Sequence, residues 1–333
     1  MKNLVKKIIL IMALVLIIAT VSTGIVSATT TFKIGHCCHS DNPVNIALEK
    51  FAEIVEEKTN GEIDVQIFTD SQLGDALTQI EGVKLGSVDM FVGGIGWLGQ
   101  FEKDYNIMAT AFVMKDIQHM DKVIRGEIGQ KLAEKLKIKS GLHVIDASWH
   151  RPPRSLMTVN KKVYSPEDVK GLKLRVPDLP TYTEPWKLMG AKTTPISWGE
   201  IYLALQQGIC DSMEGYLLDL YTSSLYEPCN YITLTEHEFE DVVLIMSEKG
   251  FNKLSAEQQE IIMEANKEAR AINNKLHEKS DAIYKQKLEE AGIEFIVPDK
   301  DAFIKKGKEI CPILEEKGLW SKGLYDEIKA LAE

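Results

Sequence analysis

Thr31-Phe32-Lys33-Ile34-Gly35 alternates apolar and polar residues, the period of a half-buried strand, and the pattern running on from it to Val92 decides the fold. Val44, Ala47, Leu48, Phe51 and Val55 recur at helical spacing before Asn60-Gly61 stops the pattern. Ile63, Val65 and Ile67 alternate again, Leu73 to Leu85 has helical periodicity, and Val88 to Val92 is a third apolar run. Strand, helix, strand, helix, strand predicts an α/β fold, with a parallel sheet and helices on both faces.

The rhythm recurs further on. Val144-Ile145-Asp146, Leu172 to Pro177 and Asp241 to Met246 read as strands, and Trp198 to Gln207 as a helix. Ser255 with Gln258 forms a capping box, and no Gly or Pro follows until Gly292. About 36 residues at about 1.5 Å each predict one helix about 54 Å long, enough to brace two domains. No repeat, low-complexity tract or Pro/Gly/Ser linker divides the chain, so two domains must be joined by structured crossings.

The N-terminus carries Lys2, Lys6 and Lys7, an apolar run from Ile8 to Val21, and Val26-Ser27-Ala28. This is the pattern of a secretory signal cleaved after Ala28, and no Cys follows to accept a lipid. Losing three Lys and no acids takes the formal charge from -10 to -13, which disfavours nucleic acid and anionic membrane as partners. Export also removes NAD and ATP from the candidate cofactors, and none is expected. Five cysteines are an odd number, and a chain of this length needs no disulfide staples.

Three motifs invite chemical readings. Gly94-Ile-Gly96-Trp-Leu-Gly99 fits a dinucleotide-binding turn, but Phe101, Glu102, Asp104 and Tyr105 follow instead of a helix N-terminus for a pyrophosphate. A glycine-rich loop that lets a ligand approach the backbone suits it better. His36-Cys37-Cys38-His39 offers four metal ligands, yet adjacent residues splay to opposite sides of an extended chain. The remaining His, at 119, 143, 150, 237 and 277, show no paired spacing, so no metal is assigned. An exported metal or redox protein built on residues 36–39 stays as a competing class. A secreted enzyme is another, although there is no G-x-S-x-G elbow and no hydrolase signature surrounds the cysteines.

Arg175 is the residue that breaks a pattern. It stands inside the apolar strand Leu172-Lys-Leu-Arg-Val-Pro177, where an unpaired guanidinium is costly. An internal salt bridge and a fork held ready for a ligand carboxylate both satisfy it, and chemistry alone leaves both open.

The chain resembles the solute-binding proteins of tripartite ATP-independent periplasmic (TRAP) transporters over nearly all its mature length. The resemblance rests on Phe51 with Glu57-Lys-Thr-Asn-Gly61, Gln72-Leu-Gly74, Gly86-Ser-Val-Asp89, Ser165 to Pro177, Glu200 to Gly208, and Asp211-Ser-Met-Glu214. It implies a two-domain periplasmic binding protein of type II-like architecture, with a ligand cleft between domains and a long helix spanning both. The expected division is 29–150 plus about 241–275 for domain I, and 151–240 plus about 276–333 for domain II. The resemblance further implies that a membrane permease is the partner, that nothing reacts, and that Arg175 grips a ligand carboxylate. Arg154 is expected to assist it, with Arg151 close by, and the protein is expected to be a monomer.

Trp198 falls where the family places an aromatic at the ligand, and Asp178 and Glu214 add acceptors for hydroxyls. Glu214 can equally be structural. His36, Cys37 and His39 follow the first strand and are expected to line the cleft, as are Gly94 and Trp97. The positions where sialic-acid binders are polar here hold Cys37, Gly94, Trp97, Asp178 and Gly215, which argues against sialic acid. Glycine-lined space, two Trp and several acceptors favour a sugar acid such as a hexuronate or aldonate over a C4-dicarboxylate, which would want more cations.

Overall fold

The computed structural model describes residues 29–332. The expected signal segment, residues 1–28, lies outside them. Among the described residues eleven strands form two sheets: β1 (Thr30–Gly35), β2 (Ile63–Phe68), β3 (Met90–Gly94), β4 (Leu142–Trp149), β5 (Arg154–Thr158), β6 (Lys173–Val176), β7 (Lys192–Pro195), β8 (Ser212–Gly215), β9 (Tyr231–Glu238), β10 (Val242–Ser247) and β11 (Glu294–Ile296). The first sheet runs β2-β1-β3-β10-β4 and the second β11-β9-β5-β8-β6-β7.

Both sheets are mixed, not parallel as the sequence suggests. β10 runs antiparallel to β3 and β4, and β5 antiparallel to β8 and β9. The pairs β1-β2, β1-β3, β6-β8, β6-β7 and β9-β11 are parallel. The reversed strands are the two that the chain enters straight from the other sheet. β4 leads through residues 150–153 into β5, and β9 through 239–241 into β10. A short direct crossing leaves no room for the helical loop that a parallel entry requires.

Helices cover the sheets for local reasons. In α1 (Pro43–Lys58), the Asn42 side chain caps the Val44 N–H at 3.0 Å and Pro43 presets the first turn. In α2 (Ala76–Leu85), Asp75 caps Thr78 N–H at 2.8 Å, and Gly86 ends the helix at φ 82°. Next come α3 (Ile117–Arg125), α4 (Glu127–Ser140), α5 (Pro180–Leu188), α6 (Ile201–Gln206), α7 (Leu217–Thr222) and α8 (Glu248–Phe251). The last four are α9 (Ala256–His277), α10 (Ser280–Glu290), α11 (Lys300–Glu316) and α12 (Leu324–Ala330).

The single long helix expected over 255–291 is two helices. The break falls at Glu278 and Lys279, where Ser280 Oγ donates to the His277 carbonyl at 2.9 Å. A hydroxyl that bonds a carbonyl three residues back competes with the helical ladder without needing Gly or Pro. α9 packs on α1 and β4 beside the first sheet, whereas α10 packs on α7 beside the second. The connection therefore makes a third crossing. The C-terminal stretch, expected with the second domain, also bonds to residues of the first: Asn106 Nδ2 donates to Leu319 O at 2.9 Å and Ser321 N–H to Asp104 at 2.7 Å.

The core follows the two-residue period of the strands. Met90, Val92, Val242, Leu244 and Met246 pack with α1 and α9, while Phe91, Val243 and Ile245 belong to the cluster on the other face. Burial on both faces explains the continuous apolar runs of β3 and β10.

His277 ends α9 buried, with neither ring nitrogen bonded, and burial pushes it down to about 3, with Arg151 and His150 adding. The folded protein keeps this imidazole neutral, whereas the unfolded chain protonates it near pH 6.5. Its stability contribution is intact above pH 6.5 and declines as pH falls towards 3. Between pH 7.5 and 5 the wild type should lose about 2 kcal/mol more than His277→Leu in chemical denaturation. Parallel pH profiles for the two proteins would refute this.

Candidate functional site

The carboxyl ends of β1, β3, β6 and β8 converge on a cavity of about 490 Å³, which the two crossings complete. This is where open α/β sheets hold ligands. Beyond β1 come Cys37, Cys38 and His39, beyond β3 Trp97, beyond β6 Asp178 and beyond β8 Tyr216; the crossings add Arg151 and Glu240.

Three buried or partly buried guanidinium groups line it, in three different states. Arg154 makes a two-pronged contact with Glu214: Nη2 donates to Oε1 at 2.8 Å and Nε donates to Oε2. Tyr216 and Tyr182 lie over its guanidinium at 4.6 and 5.1 Å. Glu214 is fully buried, which alone would raise its pKa, but Arg154 and the His237 hydrogen bond hold it well below the carboxylate range. Arg154 is thus neutralised from within. Arg151 donates from Nη2 to Cys38 Sγ at 3.2 Å and lies 4.9 Å from the Tyr216 ring.

Arg175 differs from both. Nε and Nη2 donate to the Ile196 carbonyl at 2.9 and 2.6 Å, and Trp198 lies 5.6 Å from the guanidinium. Nη1 is buried with no hydrogen-bond partner among the described residues. Burial lowers this arginine to about 10, Glu214 opposing the shift and Arg154 adding to it. A buried guanidinium left without a partner is costly.

The side chains of residues 36–39 turn to four different partners. His36 is fully buried and bonds Asn45 Oδ1 through Nε2 at 3.1 Å; Cys37 Sγ accepts from Gln79 at 3.6 Å, Cys38 from Arg151, and His39 faces Asp41 at the surface. Burial pushes the Cys38 thiol up to about 12 and raises Cys37 too, against the thiolate that a metal requires. Among the described residues, no cluster of three potential metal ligands includes any of the four.

Of the expected contacts, Arg175, Arg154, Trp198, Asp178, Cys37, His39, Gly94 and Trp97 line the cavity. His36 and Glu214 do not. His36 follows the strand with its ring turned to α1, and Glu214 is taken up by Arg154 behind the wall. The glycine motif also admits the protein's own side chains. A Cβ on Gly94 would stand 2.4 Å from Glu240 Oε1, and one on Gly99 2.1 Å from Asn106 Oδ1.

The sequence reading missed Glu240, Asp219, Tyr182 and Tyr216. Glu240 accepts from Gly96 N–H at 3.0 Å and from Tyr216 Oη at 2.8 Å. Asp219 accepts from Asn42 Nδ2 at 2.8 Å, a bond that spans the cleft from the α1 cap to α7. Burial raises its pKa, opposed by Arg151.

Residues 34–317 match the model of the bacterial extracellular solute-binding protein family 7, DctP. The chain belongs to this family, the solute-binding proteins of TRAP transporters. Solute-binding protein RD1_1052 of Roseobacter denitrificans is 31% identical over 312 residues, covering 91% of this chain and 95% of the relative. Its structure with bound L-galactonate is similar at TM-score 0.83 and 30% identity, covering 91% and 98% of the two chains. A TRAP solute-binding protein of Sulfitobacter with bound β-D-galacturonate gives TM-score 0.85 at 29% identity, covering 91% and 99%. One from Fusobacterium nucleatum with bound sn-glycerol-3-phosphate also gives 0.85 at 29%, covering 91% and 97%. TRAP solute-binding proteins are periplasmic receptors for small acids that work with a membrane permease. In this TRAP solute-binding protein Arg175 is the cleft guanidinium with an unclaimed buried donor.

Proposed function

We propose that the protein captures a sugar acid with one carboxylate, a hexuronate or an aldonate, in the periplasm after export by its N-terminal signal, and hands it to a TRAP permease. The observation that carries this reading is the unpartnered Nη1 of buried Arg175. A ligand carboxylate there converts an orphan charge into a charge-assisted pair. Of the other two cavity arginines, Arg154 serves Glu214 and Arg151 lies in the field of Asp219 and Glu240, which with Asp178 also line the cavity. A second carboxylate, or a phosphate, would meet acceptors where it needs donors, whereas sugar hydroxyls can donate to them. Trp198 and Trp97 supply faces for the carbon chain. The galactonate and galacturonate complexes of the relatives agree with this chemistry.

We also propose that the lobes divide as 29–150 plus about 241–275 and 151–240 plus about 276–332, closing about the crossings at 150–153, 239–241 and 278–279. Catalysis has no place in this scheme.

A thermal-shift panel tests the ligand class. Galactonate, galacturonate or glucuronate at about 100 times its dissociation constant should stabilise the protein by about 2.7 kcal/mol, a shift of several degrees. Succinate, malate and sn-glycerol-3-phosphate should do far less. A panel in which only a dicarboxylate or the phosphate shifts the melting point would overturn the reading.

A further inference from the structure

Residues 121, 150 and 241 are far apart in sequence and show no ligand spacing, but the two direct crossings bring them together. His150 begins the β4–β5 crossing, Asp241 ends the β9–β10 crossing, and Asp121 projects from α3 beside them. One ligand atom from each, a ring nitrogen and two carboxylate oxygens, all lie within 4.8 Å of one another. His150 Nε2 is 3.1 Å from Asp121 Oδ1, which also accepts from Arg125 Nε at 3.0 Å.

Asp241 is the anomaly in this group. It is fully buried, and neither carboxylate oxygen has a hydrogen-bond partner among the described residues. Protonation would remove the charge but would leave a buried hydroxyl with no acceptor to receive it. Burial, with Asp121 adding, already pushes this carboxyl well above its usual range. A cation answers both needs, since it pairs with the charge and occupies an oxygen lone pair. The other two side chains are about a quarter and a third exposed, at 25% and 31%, so an ion can enter from solvent.

We propose that Asp121, His150 and Asp241 form a binding site for a divalent transition-metal cation at the hinge, with Zn²⁺ the ion best matched to one imidazole and two carboxylates. Its ligands are prepared before the ion arrives. The His150 N–H donates to Asn274 Oδ1 at 2.8 Å and its carbonyl accepts from Asn273 Nδ2 at 2.9 Å, which fixes the backbone. The Asp241 carbonyl accepts from Ile95 N–H at 3.1 Å. An ion held here ties together two of the three segments about which the lobes turn. Binding at this site does not involve the cleft, so its test is independent of the ligand assignment.

The experiment is calorimetric titration of the metal-stripped protein with Zn²⁺, followed by X-ray absorption on the loaded wild type. One equivalent should bind, with nitrogen and oxygen ligands at about 2.0–2.2 Å including one imidazole, and no sulfur, which would stand at about 2.3 Å. Asp241→Asn and His150→Gln should each weaken binding by more than the roughly 10- to 100-fold that loss of a supporting residue costs. The double variant Cys37→Ser/Cys38→Ser should bind as the wild type does. Sulfur in the absorption spectrum, undiminished binding by folded Asp241→Asn, or no uptake at millimolar Zn²⁺ would overturn the proposal. The wild-type spectrum remains decisive if a variant fails to fold.

Discussion

Arg175→Ala should remain folded and lose sugar-acid binding by about 10²- to 10⁴-fold. Two charge-assisted hydrogen bonds between a guanidinium and a carboxylate contribute about 1.5–3 kcal/mol each, and the variant makes neither. It also leaves a ligand carboxylate without its cation in a cavity that Glu240 and Asp219 line. The empty protein should hardly suffer, because Arg175 is buried without a carboxylate partner and its removal takes away an uncompensated charge. The Ile196 carbonyl loses its two donors but borders the cavity, where water can replace them. Arg175→Lys separates charge from geometry. It keeps the positive charge but cannot both hold Ile196 and present a second donor to the ligand, so binding should still fall substantially. Calorimetric titration of the three proteins with galacturonate or galactonate, whichever the panel selects, gives the result. Affinity of Arg175→Ala within about tenfold of the wild type would remove the carboxylate clamp from Arg175.

Why Arg175 was visible in the sequence and Glu240 was not is a matter of contrast. A lone arginine in an apolar strand violates the binary pattern, and the violation marks function or a buried pair. Glu240 sits in an acidic chain next to Glu238 and Asp241, and nothing local distinguishes it from a solvated loop residue. Its place in the cleft comes from the crossing between sheets, which is a long-range property. The same holds for strand direction. Residues 31–92 announce their strands and helices by period, but β5 and β10 are reversed because of where the chain came from. The break between α9 and α10 had a weak local signal in Ser280, since a hydroxyl at that position can bond back to His277. In His36-Cys37-Cys38-His39 the alternation of an extended chain predicts that neighbouring side chains point different ways, and they meet different partners. It could not tell that His36 turns inward to Asn45 while its neighbours line the cavity.

Glu214→Ala should destabilise the protein by about 3–5 kcal/mol, a large part of the roughly 5–15 kcal/mol that holds a typical domain together. The cost does not come from a lost attraction alone. Arg154 stays buried between Tyr182 and Tyr216 without its two-pronged partner, and His237, which lies 3.4 Å from Glu214 Oε2, loses a partner as well. The double variant Arg154→Met/Glu214→Leu removes both charges and refills their volume, so it should cost less than Glu214→Ala by itself. That inversion, two substitutions gentler than one, distinguishes a buried pair from two independent packing residues, which would add. Urea denaturation of the ligand-free proteins measures it, with an unchanged m-value showing that the same two states are compared. If the costs of the single changes simply sum in the double variant, Glu214 is not the counter-ion of Arg154, and Arg154 becomes available to the ligand as a second cation. A dicarboxylate would then regain its place among the candidates.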